Sequence, residues 1–464
     1  MLIHATRPLF AWDCLEDSPS LLTIRQLLAA VPDGKLLDAL RRRRGQGRDD
    51  YPVSVLWGTH LLRILLRHPT MEACLGELRR NEGLRRLIGI ESEAGVPHIW
   101  NMSRFETVLG EEPHQSLVRE IFDQQIRRLG AVVPELGRVT AGDSTQLSAR
   151  ACAAADEEIA AGLPQPSGGR KEYTDDEGKV TKVVEWFGYK LHLVVDARHE
   201  VVLAYQITDT KAGDGETLPA LLDQAQANLP DDRMRSLAYD KAADTNPVHE
   251  RLSDDGIRPV VQNRALWQTE LERRLPGHDG TSNVVYDEAG TLYCYDTVSR
   301  PPVRHPMSYI GYEPQRETLK YRCPAKHEGW SCPMSEICNA GLSYGKTVRV
   351  PRAIDLRRFP AIPRATKQFE RLYKGRTSVE RVNARLKIFW GLDDGNLRGA
   401  RRFFANVNSV LVVHAAFATV LAATPRQEDA TLGRMKLSPI AQALRNQLPL
   451  AEPVVPTAAP AQAT

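Results

Sequence analysis

Carboxylates that meet at the edge of a β-sheet can hold hard divalent cations, and two aspartates of this chain sit where that could happen. Asp143 closes the short run Arg138-Val-Thr-Ala-Gly-Asp143, and Asp240 closes Arg235-Ser-Leu-Ala-Tyr-Asp240. Each run reads as a β-strand ending at an acid. In an open α/β sheet the residues just beyond strand ends line the functional edge, so these two acids can share cations if their strands are neighbours. Aspartate often closes a strand for structural reasons, so either acid alone carries little weight. Asp244 is a rival for the second position; Asp240 is preferred because it follows the apolar strand directly.

A third acid lies far downstream, in Tyr373-Lys-Gly-Arg-Thr-Ser-Val-Glu-Arg-Val-Asn-Ala-Arg-Leu-Lys387. The pattern predicts a helix. At about 100° per residue, with Arg376 at 0°, Tyr373 falls at about 60°, Glu380 at about 40° and Lys387 at about 20°. A phenol, a guanidinium, a carboxylate and an ammonium therefore share one face. Val379, Val382, Leu386 and Phe389 form an adjacent apolar stripe suited to packing on a sheet. Such a face can complete a cation site and hold phosphates; the plainer alternative is a salt-bridge network on a helix surface.

The spacing Tyr373-x2-Arg376-x3-Glu380-x6-Lys387 resembles the Tyr–Arg–Glu–Lys signature of bacterial insertion-sequence transposases of the DDE class. Asp143 in Ala-Gly-Asp-Ser-Thr and Asp240 in Ala-Tyr-Asp-Lys resemble the first and second catalytic acids of that family. The resemblance covers residues 50 to 420, with one departure: Asp240-Lys-Ala-Ala-Asp244 stands where members often carry Gly-Tyr after the lysine. It implies an α/β fold, an RNase H-like mixed sheet flanked by helices. It also implies two Mg²⁺ ions, replaceable by Mn²⁺, with Asp143 bridging both, Asp240 holding one and Glu380 the other. Water would free a 3′-hydroxyl at each transposon end, and that hydroxyl would attack target DNA. Arg376 and Lys387 would hold phosphates, and Tyr373 would bond a phosphate or stack on a base. The implied partners are transposon-end and target DNA, bound by a homodimer in a synaptic complex. Two alternatives are a domesticated DNA-binding protein without catalysis and an RNase H-like nuclease without strand transfer.

Five segments must position these residues. Residues 1–135 read as a helical DNA-binding domain, with helices over Val53–Leu66, Thr70–Leu87, Ser103–Leu109 and His114–Leu129. Residues 136–260 form the first part of the catalytic core. Within it, Cys152–Val180 reads as a long loop, and Tyr189–Asp196 with Val201–Ile207 as a β-hairpin. Lys190 and His192 share a strand face and read as structural, and Asp196, Asp209 and Asp214 as solvated turn acids. Residues 261–363 read as a β-rich insertion. Its Cys323-x8-Cys332-x5-Cys338, with His327 between, would make either a zinc site or a set of reduced, partly buried thiols. Residues 364–425 carry the third acid in the second part of the core, and 426–464 read as a C-terminal helix and a disordered tail.

Charge supports a polyanionic partner. The net charge is only +3, but Ala340–Arg402 holds 16 Lys or Arg against 5 Asp or Glu, a local +11 that leaves −8 elsewhere. A second basic run, Arg41–Arg44 with Arg48, reads as a solvated loop. Seven cysteines in 464 residues argue against a disulfide framework. The N-terminus has no basic stretch followed by an apolar one, and no apolar run reads as long enough to span a membrane. The expectation is a cytoplasmic protein with no membrane partner.

Overall fold

The computed structural model describes residues 19–46, 50–150, 156–175, 179–230, 232–276, 283–394 and 397–423. The C-terminal helix and tail expected over 426–464 lie outside them, as does Arg48. The chain divides into two compact units: Met1–Val133 with Ala154–Ala161 and Arg385–Thr464, and Pro134–Ala153 with Gly162–Ala384.

Apolar residues at three- and four-residue spacing make the described part of the first unit helical. Its N-terminal helices are Pro19–Ala29, Gly34–Arg44, Val53–Leu65, Met71–Arg80, Glu82–Leu87, Ile99–Leu109 and His114–Val132. The single helix expected over Thr70–Leu87 is two, because Asn81 adopts an extended backbone and its side chain accepts a hydrogen bond from Leu84 N, capping a new start. Arg41–Arg44 lie in the last turn of a helix, not in a loop, where their charge suits the carbonyl end of the helix dipole.

The centre of this unit is Ala400–Ala423, which packs against His114–Val132 and Ile99–Leu109. Residues 385–423 lie in the same compact unit as the N-terminal helices. One expectation is corrected here. Ala400–Ala423 is long and apolar enough to cross a membrane by composition, although 94% of its most apolar window is buried inside the protein. Burial on all sides explains the missing polar stripe.

The second unit is built on a six-stranded mixed sheet of β1 (Val139–Ser148), β2 (Ser167–Thr174), β3 (Val180–Asp196), β4 (Val202–Thr208), β5 (Ser236–Tyr239) and β6 (Arg258–Val261). β3 is long enough to serve two partners along one edge: its first half pairs with β2 and its second half with β4, both antiparallel. β1 lies on the other edge of β3, antiparallel, and is followed by β5 and β6 in parallel. The segment read as a loop, Cys152–Val180, therefore contains a strand. Its Gly, Ser and charged residues hid the period of two, because β2 is an edge strand that β3 pairs on one side only. The hairpin strand expected from Tyr189 begins at Val180 for the same reason.

The chain between Val261 and Pro363 forms two small antiparallel sheets. One contains Arg273–Arg274, Val284–Tyr286, Leu292–Asp296 and Val303–Pro306; the other contains Ser308–Glu313, Thr318–Arg322 and Thr347–Pro351. They share one apolar core that includes Tyr286, Leu292, Leu319, Val350 and Phe359. This insertion is fastened to the main sheet by ion pairs. Asp244, fully buried, lies 2.9 Å from both Arg357 Nη2 and Arg364 Nη2 and 2.8 Å from His249 Nε2. Arg364 also donates to Val261 O at 2.9 Å, tying the exit of the insertion to its entry.

Candidate active site

β1 and β5 are adjacent, and their parallel register pairs Ala141 with Ala238. Asp143 and Asp240 each stand two residues beyond that pair, so the alternation of strand side chains puts both acids on the same face at neighbouring positions. The Tyr239 ring packs directly over Gly142: a Cβ there would lie 2.3 Å from the ring, so only glycine fits behind the two acids. Asp143 does not end its strand as expected. β1 runs on to Ser148, because β3 continues to pair with it after β5 has left; Asp143 faces Leu193 in that ladder. Asp240 does leave its strand, and its Oδ1 accepts from Ala242 N at 2.8 Å, capping a short 3₁₀ turn.

The segment expected as one helix from Tyr373 to Lys387 is in three pieces. Tyr373 ends the helix Lys367–Tyr373, Arg376 ends a 3₁₀ turn, and Glu380 lies in the first turn of the helix Thr377–Trp390. Gly375, poor in helix propensity, sits in the tightened turn. Arg376 and Glu380 remain four residues apart on one face. Arg376 Nη1 lies 3.0 Å from Asp143 Oδ2 and Nη2 lies 2.6 Å from Glu380 Oε1, so one guanidinium gathers the first and third acids. Val379, Val382 and Leu386 are buried as the apolar stripe requires, but Phe389 is 46% exposed and Trp390 is buried instead.

Of the other two members of the tetrad, Tyr373 lies beside Arg376 and feels the charges of Asp240 and Asp143. Tyr373 OH donates to Gln262 Oε1 at 2.9 Å. Lys387 belongs to the first unit, where Nζ lies 3.2 Å from Asp393 Oδ2. Asp244, the rival of Asp240, is closed inside the Arg357–Arg364–His249 cluster, which leaves it no free face toward Asp143.

Sequence reasoning missed a second layer. Asp214 is buried rather than solvated: Lys190 Nζ lies 2.6 Å and His192 Nδ1 3.3 Å from its Oδ1, and Ser144 Oγ donates to Oδ2 at 3.1 Å. The shared face of Lys190 and His192 was the one available signal. Asp196 is fully buried as well, accepting from the backbone N–H groups of Gly137, Arg198 and His199. Asp209 stays partly exposed and caps its own turn through Lys211 N and Ala212 N.

These neighbours set the electrostatics. Burial pushes the Asp143 carboxyl up to about 6; Ser144 N–H and Arg376 oppose this, and the negative charges of Asp240 and Asp214 add to it. Burial also pushes on Asp214, but His192 and Lys190 hold it down to about 2. The Tyr239 hydroxyl is buried without a hydrogen-bond partner, and its pKa is raised by burial and then by Asp214, Asp143 and Asp240. Crowded acids, a guanidinium lodged between two of them and an orphaned hydroxyl mark a place that needs more positive charge than the protein supplies. The donor set is all oxygen and half-exposed at Glu380, which suits hard divalent cations. Among the described residues, no three His, Cys, Asp or Glu groups are closed tightly enough to hold a metal as they stand.

The insertion holds a separate cluster. Cys323, Cys332 and Cys338 line one cavity, but His327 does not reach it; the helix Pro324–Glu328 leaves that ring exposed. The fourth sulfur on the cavity is Cys294, from the strand Leu292–Asp296, which a search by local spacing could not reach. Burial first, and then the other three thiols, push Cys294 up to about 12.

No curated protein matches the chain. Residues 138–415 match the family model described as the transposase DDE domain. That stretch covers more than half of the chain and contains both sheet acids, the third acid and the insertion between them. The chain therefore belongs to the DDE transposase family, a family of nucleic-acid-processing enzymes.

Proposed function

We propose that the chain is an insertion-sequence transposase that binds the ends of its own element, cleaves strands to free 3′-hydroxyls and joins them to target DNA. The observation that carries this reading is the convergence of Asp143, Asp240 and Glu380 around Arg376. The strand order β4-β3-β1-β5-β6, antiparallel and then parallel, supports an RNase H-like core with the first two acids on adjacent strands.

Asp143, Asp240 and Glu380 would hold two Mg²⁺ ions, with Mn²⁺ as a substitute. When bound, the ions supply Lewis-acid activation of the attacking and leaving oxygens of a phosphodiester. Arg376, which bridges Asp143 and Glu380, would grip the phosphate beside them. Tyr373 would offer its hydroxyl to a phosphate or its ring to a base. Lys387 would exchange Asp393 for a phosphate further along the helix.

The helical first unit, with exposed Arg41–Arg43 at a helix end, is the proposed DNA-binding region. Bringing two ends together calls for a homodimer in a synaptic complex, working in the cytoplasm of a bacterium.

The test is Mg²⁺- or Mn²⁺-dependent cleavage of a DNA fragment carrying the gene's own flanks, comparing wild type with Asp240→Asn. Cleavage at the element ends by wild type alone, with joined products in a strand-transfer assay, supports the reading. Cleavage without joining assigns a nuclease, and binding without cleavage under both metals assigns a non-catalytic DNA-binding protein.

A further inference from the structure

Four of the seven cysteines lie in the insertion, and all four line one cavity. They come from separate places: Cys294 from a strand of the four-stranded sheet, Cys323 from the end of a strand of the three-stranded sheet, Cys332 from the following turn and Cys338 from the short helix Ser335–Cys338. The cavity measures about 20 Å³, room for a single small sphere. All four thiols are free.

Two of the four sulfurs have amide donors aimed at them. Asn339 Nδ2 donates to Cys323 Sγ at 3.6 Å, and Asn283 Nδ2 donates to Cys338 Sγ at 3.8 Å. Lys346 fixes both amides in that orientation: its backbone N–H donates to Asn339 Oδ1 at 2.7 Å, and its Nζ donates to Asn283 Oδ1 at 3.3 Å. Amide donors aimed at sulfur stabilise thiolate, and an ammonium on the same cavity offsets part of the charge that several thiolates would bring.

From this geometry we infer that Cys294, Cys323, Cys332 and Cys338 form a tetrathiolate zinc site that cross-links the two sheets of the insertion. Zn²⁺ prefers four soft ligands in a closed tetrahedron, and the ligand set leaves no position for water, so the role is structural. The sulfurs line the cavity without meeting at one point; binding draws them together as each gives up its proton. His327 is not a ligand. This inference is independent of the reading of the carboxylate site.

The full chain, purified under reducing conditions, should contain about one zinc by elemental analysis. Replacing zinc with Co²⁺ should give the visible bands of a tetrahedral ion and intense sulfur-to-metal charge transfer. Cys294→Ser should lose the zinc, while His327→Ala and Asp143→Asn should keep it. Differential alkylation of the wild type, read by mass spectrometry, needs no variant: all four cysteines should be protected until a chelator is added, and Cys74 should respond identically with and without chelator. A reduced chain that takes up neither Zn²⁺ nor Co²⁺ would overturn the inference. So would iron in the site, disulfides among the four cysteines, chelator-insensitive alkylation of Cys294, or zinc lost in His327→Ala and kept in Cys294→Ser.

Discussion

Arg376 reaches Asp143 across 233 residues of sequence, Nη1 to Oδ2 at 3.0 Å, and supplies the counter-charge on the first acid. Asp214 works in the opposite direction, adding negative charge near the same carboxyl. Asp143 must be ionised to hold cations, so their binding weakens as pH falls through about 6. Arg376→Gln removes a lowering influence and should move that acid limb to higher pH. Asp214→Asn removes a raising one and should move it to lower pH, each by on the order of one unit. Mn²⁺ titrations by calorimetry at a series of pH values check the two signs; shifts in the same direction would refute the electrostatic account.

Each of the three acids has its own conservative test. Asp143→Asn, Asp240→Asn and Glu380→Gln keep size and remove charge. Each should reduce strand cleavage by roughly 10³-fold or more while terminal-DNA binding changes little. A gel-based cleavage assay beside a binding isotherm measures both quantities. Full activity in any one variant removes that residue from the site.

Asp214 also contributes to stability. Its folded-state pKa of about 2 lies below the ordinary 3.8, so its ionised form is favoured in the fold. That contribution, about 2 kcal/mol, is fully present above pH 4 or so and is lost as pH falls through about 2. Asp214→Asn should therefore lower the denaturant midpoint at neutral pH, and the gap from wild type should close on acidification. An unchanged gap at low pH would assign the loss to packing instead.

Asp244 separates the two neighbouring acids by what they do. Asp244→Ala strands Arg357 and Arg364, both nearly fully buried, and should cost about 3–5 kcal/mol. Limited proteolysis should then cut within the insertion first. Asp240→Asn should leave the proteolytic pattern of the wild type, because its side chain caps only a short exposed turn.

The acids were legible in the sequence because each sits beside a strong local signal. Apolar strands precede Asp143 and Asp240, and Val379, Val382 and Leu386 frame Glu380. What was not legible depends on partners distant in sequence. Asp214 reads as a turn acid until β3 brings Lys190 and His192 to it. Cys294 lies 29 residues before Cys323 and joins it only through the packing of two sheets. The regular helix on which the tetrad's face was drawn is interrupted at Gly375 by one tightened turn. Ala400–Ala423 could not be assigned to a unit by composition, since an all-apolar helix carries no record of which neighbours surround it.

Arg364 has a consequence for how this protein can be edited. Because its side chain reaches back to Val261 O, the chain leaves the main sheet and returns to it within the span of one arginine. The insertion is a closed loop on a narrow stem, and lengthening or shortening such a loop changes its closure entropy only slowly. A shortened insertion that keeps Arg357 and Arg364 keeps both partners of Asp244, and with them the stretch that follows the strand ending at Asp240. Length can therefore vary at the far end of the insertion, whereas cutting away its stem would strand a buried carboxylate.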